Sequence, residues 1–166
     1  MKIVAFVGQS ESGKTRLVAR LVLEFKKRGL IVAVVKHCSS GFDLGGEDKD
    51  SAKFLAAGAD GVALAAPEQT VVLRRRDCEH DLGALAREEF GAADMVLVEG
   101  GKSDVRLRKI EVLRKGFASG LRTPLPELAA VVSDYPVACD RPLFHPNNVT
   151  EIADWLMANL HSDKGQ

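Results

Sequence analysis

"GQSESGKT", residues Gly8 to Thr15, satisfies the pattern G-x-x-x-x-G-K-[ST] of a phosphate-binding loop. The apolar run Lys2–Val7 before it predicts a strand buried on both faces, and apolar residues recur at helical spacing over residues 14–28 after it. The glycines let successive backbone N–H groups point inward, and the start of the helix adds positive potential. Phosphate is therefore the natural ligand of this loop, and the context predicts a P-loop nucleotide-binding fold.

The residues of this loop are expected to divide the binding of a nucleotide between them. Lys14 would reach the β and γ phosphates and act in catalysis, while the Thr15 hydroxyl would ligate the magnesium ion that bridges those phosphates. The alternative is a chance glycine turn, which the flanking strand and helix disfavour. The candidate nucleotide-binding residues of this region are Gly8, Ser10, Glu11, Ser12, Gly13, Lys14, Thr15 and Arg16.

An acid for the magnesium ion is expected at the carboxyl end of a neighbouring parallel strand, where such sheets bind their ligands. The stretch "DMVLVEGG", residues 94–101, has an acid on each side of an apolar strand. At about 3.3 Å per residue, Asp94 and Glu99 lie roughly 16 Å apart and cannot serve one metal. Glu99 is the metal-binding and catalytic candidate, or else a solvated strand-end acid. Asp94 is assigned a structural role at the start of the strand.

The polar segment "KHCSSGFDLGGEDKDS", residues 36–51, starts where the second strand ends, at the same sheet edge as the phosphate loop. It is a candidate switch that orders around the γ-phosphate and the metal, with Asp43 as a metal ligand and Asp50 as a catalytic acid. The spacing of its acids does not fit an EF-hand calcium loop. Asp50 could instead start a helix. Lys36 and His37 could bind an anionic second substrate, or be an ordinary strand-end cation and a structural histidine.

The order of the other segments predicts an α/β fold of the P-loop NTPase type, with a mostly parallel twisted sheet flanked by helices. Runs at residues 62–65 and 70–74 predict a small β-hairpin. Residues 108–114 alternate apolar and charged side chains, which is typical of an edge strand. The expected organisation is one nucleotide-binding domain over residues 1–160, with a flexible tail at 161–166.

Composition narrows the class of protein further. The chain has 166 residues, 46% of them hydrophobic, and its 23 basic residues balance 23 acidic ones, so no strong field draws it to nucleic acid or membranes. No apolar run reaches the length of about eighteen residues that a membrane span needs, and no signal peptide stands at the start. Three widely spaced cysteines indicate neither a disulfide framework nor a zinc site. We therefore expect a cytoplasmic protein.

Several short stretches together resemble the molybdopterin-guanine dinucleotide biosynthesis protein B family (MobB), which are small P-loop GTP-binding proteins. The resemblance extends to about Asp134. It rests on "GQSESGKT", "RGL" with "VAVVKH", "FD" and "KDS" in the segment 36–51, "AGAD", "LVEGGK" and "KIEVLR", in this order. The chain departs from the family in "CSS" after the Lys-His pair, where many members have histidines, and in Arg16, where a second threonine is common.

The resemblance implies a magnesium- and GTP-dependent accessory protein that hydrolyses GTP slowly and forms homodimers. It would act with a separate guanylyltransferase, and with molybdopterin, in attaching GMP to that pterin. By position it assigns phosphate and metal contacts to Gly8, Ser10, Gly13, Lys14, Thr15 and Glu99. It also places Asp134 of "VVSD" where a carboxylate could accept hydrogen bonds from guanine N1–H and N2–H, unless Asp134 only starts a turn.

Two other classes of function remain open at this stage. A small-molecule kinase would need a lid with several arginines, and Arg74-Arg75-Arg76 is the one comparable cluster, more readily explained as a hairpin end. A non-hydrolysing nucleotide-dependent adaptor is the other. Substrate or partner contacts are predicted for Lys36, His37, Lys102 and Lys109, within a basic set that also includes Arg106, Arg108 and Arg114 and that could equally face water.

Overall fold

The structure is a computed structural model that describes residues 1–41, 49–75, 81–117 and 120–161. The chain divides into two compact units, Met1–His37 with Asp81–Gln166, and Cys38–His80. The single-domain boundaries at 1–160 stay a prediction. Most of the predicted tail lies outside the described residues, as do Asp43 and Arg76.

The elements follow in the order β1 (Lys2–Val7), α1 (Lys14–Lys27), β2 (Val32–Lys36), α2 (Asp50–Ala56), β3 (Gly61–Ala66), β4 (Gln69–Arg74), α3 (Leu82–Glu89), β5 (Met95–Glu99), β6 (Lys109–Leu113), β7 (Leu128–Ser133), β8 (Leu143–Phe144) and α4 (Val149–Asn159). The first unit contains a six-stranded sheet in the order β2-β5-β1-β6-β7-β8, and all its strand pairs are parallel. The predicted fold class is confirmed, including the antiparallel pairing of β3 with β4.

Two apolar clusters cover the two faces of this sheet, because successive residues of β1 point to opposite sides. Val4 and Phe6 lie in the cluster that contains the buried residues of α1 and α4. Ile3, Ala5 and Val7 lie in the cluster that contains residues of α3. A central strand buried on both faces must be apolar throughout, which explains the continuous run that precedes the phosphate loop.

Strand β6 is not an edge strand, so that prediction is wrong. It lies between β1 and β7, and all five of its residues are buried. The Lys109 ammonium is fully buried and donates to the Glu127 carboxylate. The Glu111 carboxylate accepts three hydrogen bonds, from the N–H groups of Arg122 at 2.9 and 3.1 Å and of Thr123 at 2.8 Å. The alternating charges looked solvated in the sequence because their partners are distant along the chain.

Strand β2, although rich in apolar β-branched residues, is the outer strand of the sheet next to β5. Ile31, just before it, is 55% exposed, and Val34 within it is 40% exposed. Apolar β-branched residues therefore do not identify a central strand on their own, since an edge strand also packs one face against a helix.

The second unit contains α2 and the β3–β4 hairpin. The hairpin pairs from Gly61 with Arg74 to Ala66 with Gln69, and the Arg75 guanidinium donates to the Leu55 carbonyl. Apolar side chains of the hairpin are exposed at Leu64, Val71 and Val72. Among the described residues of the whole chain, no helix has the length and apolar character needed to span a membrane.

Candidate functional site

Four strands of the first unit end at one edge of the sheet and deliver charged side chains there. In the parallel register Glu99 lies beside Phe6 of β1 on one side and beside Lys36 of β2 on the other. Strand β6 ends just before Arg114 on the far side of β1. These ends enclose a cleft of about 530 Å³, lined by Ser10, Glu11, Gly13, Lys14, Thr15, Arg16, Lys36, Glu99 and Arg114.

The phosphate loop connects β1 to α1 through residues with left-handed backbone. Gly8 has φ +146°, and a Cβ at this position would lie 2.3 Å from the Val112 carbonyl oxygen, so only glycine fits. Gly13, at the start of α1, has φ +92°. Glu11 is the one non-glycine residue with positive φ in the described chain, at 62°. This conformation costs an L-residue about 1–2 kcal/mol.

The Lys14 ammonium is held over the loop by main-chain and side-chain oxygens. Its Nζ donates to the Gly8 carbonyl at 3.1 Å, to the Gln9 carbonyl at 2.5 Å and to the Ser12 hydroxyl at 3.5 Å. Burial lowers the pKa of Lys14, the Glu99 carboxylate opposes that effect, and the Lys36 charge adds to it. A bound anion would favour the charged form of Lys14 again.

The structure brings Thr15 and Glu99 together, as the sequence analysis expected of a metal site. The Thr15 hydroxyl donates to Glu99 Oε1 at 2.6 Å, and Lys36 Nζ lies 3.9 Å from the same oxygen. The Glu99 side chain is only 12% exposed. A hydroxyl and a carboxylate beside a phosphate loop fit Mg²⁺, which prefers oxygen ligands and takes few of them from protein.

Asp94, at the other end of β5, has a structural role. Asp94 Oδ2 accepts the Ile31 N–H at 2.8 Å, which ties the start of β2 to the start of β5. Its assignment as a structural residue is confirmed by this contact.

The remaining candidates are distributed more widely. Asp134 follows β7 at the same sheet edge, and its Oδ1 accepts the Lys115 N–H at 2.7 Å. The His37 N–H donates to the Glu99 carbonyl at 2.9 Å, and Lys102 is exposed in the loop after β5. Asp50 lies in the first turn of α2 in the second unit.

Lys109 does not present a charge to a substrate or partner, which corrects that expectation. Its ammonium is fully buried and paired with Glu127, at the amino end of β6. This is the end of β6 that points away from the phosphate loop, because β1 and β6 run parallel and Lys109 lies beside Ala5.

The sequence analysis missed the segment after β6 as a support of the phosphate loop. Arg114 Nη1 donates to the Glu11 carbonyl at 3.3 Å. With its amide oxygen turned toward Arg122, Gln9 accepts from that guanidinium at 2.5 and 3.1 Å and donates to the Phe117 carbonyl. An arginine directly after a strand that ends beside β1 was the available signal, and the edge-strand interpretation hid it.

Comparison with known proteins identifies the family of this chain. The family model described as Molybdopterin guanine dinucleotide synthesis protein B (MobB) matches residues 3–134, which include the phosphate loop, Glu99 and Asp134. The chain belongs to the MobB family. It is 33% identical to the molybdopterin-guanine dinucleotide biosynthesis adapter protein of Haemophilus influenzae, over 98% of this chain and 92% of that protein. It is 28% identical to the Escherichia coli protein of the same description, over 98% and 95%.

Solved MobB structures have the same fold. A molybdopterin-guanine biosynthesis protein B that is 30% identical superposes with a TM-score of 0.72 and covers 94% of this chain and 98% of that chain. Bacillus subtilis MobB, at 24% identity, gives a TM-score of 0.71 over 98% of this chain and 100% of its own, which supports the fold alone.

Proposed function

We propose that this protein is a GTP- and magnesium-dependent accessory protein of molybdopterin guanine dinucleotide biosynthesis. It would act beside the guanylyltransferase that joins GMP to molybdopterin. The observation that carries the proposal is the 2.6 Å contact of the Thr15 hydroxyl with Glu99, next to Lys14, in a chain of the MobB family. The family, the phosphate loop and the metal-facing acid all support a nucleotide-dependent accessory protein.

The chemistry that this site supports is slow hydrolysis of GTP to GDP and phosphate. The loop N–H groups and Lys14 would hold the phosphates, and Lys14 would neutralise charge that develops on the leaving β-phosphate oxygen. Thr15 and Glu99 would hold a magnesium ion, and such an ion would supply polarisation of the γ-phosphate. Glu99 could also orient a water for attack on phosphorus, because its carboxylate lies within the same cleft.

Guanine would be read at the end of β7. Asp134 Oδ1 accepts the Lys115 N–H at 2.7 Å, and among the described residues Oδ2 has no hydrogen-bond donor. A carboxylate in that place accepts from guanine N1–H and N2–H, whereas adenine has no donor at these positions.

Calorimetry with Mg²⁺ tests the proposal directly. GTP should bind at least tenfold more tightly than ATP, and Asp134→Asn should reduce that ratio without weakening the affinity for ATP. Lys14→Ala should remove most of the affinity for both nucleotides, since it deletes the central phosphate contact. Wild-type affinity for GTP in Lys14→Ala would contradict the phosphate-loop assignment. Equal affinities of the wild type for GTP and ATP would contradict the guanine assignment.

A nucleotide-dependent adaptor that does not hydrolyse GTP is the second candidate. The description of the curated relatives as adapter proteins favours it. Phosphate release during a single turnover distinguishes the two. GTP that remains intact for hours in the presence of Mg²⁺, the guanylyltransferase and molybdopterin would leave the adaptor as the better description.

Formation of a homodimer through the hairpin is part of the same proposal. An isolated two-stranded hairpin is at best marginally stable in water, and exposed apolar residues on it mark an association surface. Leu64 and Val71, which are paired in the hairpin and share one face of it, supply such residues, and Val72 is exposed on the other face. Sedimentation should show a dimer for the wild type and a folded monomer for Val71→Lys, while a monomeric wild type at micromolar concentration would refute the dimer.

A further inference from the structure

Arg114 brings a second fixed cation to the phosphate cleft, on the side of β1 away from Glu99. It directly follows β6, which pairs with β1, whereas Glu99 ends β5 on the other side of β1. Its side chain lines the same cleft as Lys14 and Thr15. Positive charge therefore reaches the cleft from both flanks of the loop, with Lys36 on the β2 side and Arg114 on the β6 side.

Two contacts hold the Arg114 guanidinium without neutralising it. Nη1 donates to the Glu11 carbonyl at 3.3 Å, and the guanidinium carbon lies 4.9 Å from the centre of the Phe117 ring. Within the described part of the chain no carboxylate forms an ion pair with Arg114, in contrast to Arg28 and Arg106. A guanidinium has five N–H donors in a planar fork that matches phosphate oxygens. Only one of these donors is bound within the described residues, so the others can reach an anion in the cleft.

The backbone around Arg114 is fixed to the phosphate loop and not merely near it. The Val112 carbonyl lies so close to Gly8 that a Cβ on Gly8 would be 2.3 Å away. The buried Glu111 carboxylate fixes the N–H groups of Arg122 and Thr123. The Arg122 side chain in turn holds the Gln9 amide of the loop.

We propose that Arg114 is a phosphate-binding residue of this site, which contacts the polyphosphate chain of the bound nucleotide in the ground state. The inference rests on the proposed function in so far as the loop holds a nucleotide. It adds a ligand contact at a position that neither the loop motif nor the metal-facing acid supplies. Because the guanidinium is already anchored, it loses little side-chain entropy on binding, and more of the energy of its phosphate contact contributes to affinity.

The test compares the arginines at the two ends of β6. Arg108 precedes the strand at its end away from the phosphate loop, where its carbonyl accepts the Ala5 N–H, and its side chain is exposed, so Arg108→Ala is the matched control. Arg114→Ala should weaken the binding of GTP, GDP and pyrophosphate by about tenfold each, because a charge-assisted hydrogen bond to phosphate is lost. Arg114→Lys should recover part of that loss, and Arg108→Ala should bind all three ligands as the wild type does.

Two further measurements separate ligand contact from loop support. Phe117→Leu keeps the guanidinium but removes its ring contact, and it should weaken pyrophosphate less than Arg114→Ala does. The slope of log affinity against log salt should become shallower for Arg114→Ala alone. Wild-type affinity in Arg114→Ala, or an equal loss in Arg108→Ala, would overturn the proposal. Equal affinities for GTP and ATP would contradict the assignment of Asp134 to guanine but would not affect the proposal for Arg114, which concerns the phosphates.

Discussion

Strands β5 and β6 carry charged residues at both ends, and the two ends use them differently. At the amino ends Asp94 accepts the Ile31 N–H at 2.8 Å, and Lys109 is buried against Glu127. At the carboxyl ends Glu99 and Arg114 line a cleft open to solvent. The charges at the amino ends of β5 and β6 contact other parts of the chain and stabilise the fold. The charges at their carboxyl ends can bind a ligand. Substitutions at one edge should therefore change stability, and substitutions at the other should change affinity.

The largest expected effect is at the amino edge, for Lys109→Met. This change leaves the Glu127 carboxylate, whose side chain is 15% exposed, without its partner. Breaking a buried ion pair from one side costs about 3–5 kcal/mol. Urea unfolding followed by the fluorescence of Trp155, which packs on Phe144 in the first unit, would measure the loss. The double change Lys109→Met with Glu127→Gln should recover part of it, and a loss below about 1 kcal/mol would contradict the comparison.

The next effect concerns Asp104 in the loop after β5. Its carboxylate accepts from the Leu82 N–H at 3.1 Å and from Arg106 Nε at 2.9 Å. Burial alone would raise the pKa of Asp104, but these hydrogen bonds, that of the Arg106 N–H and the Arg106 charge together lower it. The stability that Asp104 contributes is thus fully present above its unfolded pKa of about 4 and is lost as pH falls through the lower folded pKa.

Asp104→Asn should cost about 2 kcal/mol at neutral pH and flatten the loss of stability in acid. Urea midpoints between pH 2 and pH 7 would show this, with the exposed Asp140→Asn as control. An unchanged acid limb in Asp104→Asn would refute the assignment.

At the carboxyl edge, Glu99→Gln should change the role of magnesium. The amide keeps an oxygen for the Thr15 hydroxyl but removes the charge, so GTP binding with Mg²⁺ should weaken about tenfold, or 1.4 kcal/mol. Without Mg²⁺ the same variant should bind GTP as tightly as the wild type or more tightly, because one negative charge has left the cleft. Asp94→Asn, at the other end of β5, should leave both affinities unchanged, and an identical loss with and without Mg²⁺ would argue against a metal role.

The smallest effect is expected at Glu11, whose left-handed backbone places it in the loop itself. Glu11→Gly and Glu11→Ala both remove the carboxylate, but only glycine adopts φ 62° without strain. The glycine variant should be more stable than the alanine variant by about 1 kcal/mol in denaturant unfolding. Equal stabilities would mean that the loop relaxes around Cβ at little cost.

The sequence predicted that the phosphate loop and Glu99 lie at one edge of the sheet, but it did not predict their surroundings. The phosphate loop and Glu99 were identified because each depends on a local pattern and on one rule about parallel strands. Strand β6 was misread because its charges are satisfied by partners 11 to 18 residues away, Arg122, Thr123 and Glu127, which no local pattern reveals. The support that Arg114 gives to Glu11 spans 103 residues and was missed for the same reason.

The close contact of Gly8 with the Val112 carbonyl fixes the distance between the phosphate loop and β6. Arg114 lies two residues beyond that carbonyl, so its Cα is located from the loop by a backbone contact and two peptide units. A strand that is paired on both sides is held more firmly than a surface loop. Exchanging side chains should therefore change the ligand preference of this cleft. Changes that require the main chain to shift should not, because the sheet fixes the position of the backbone around the cleft.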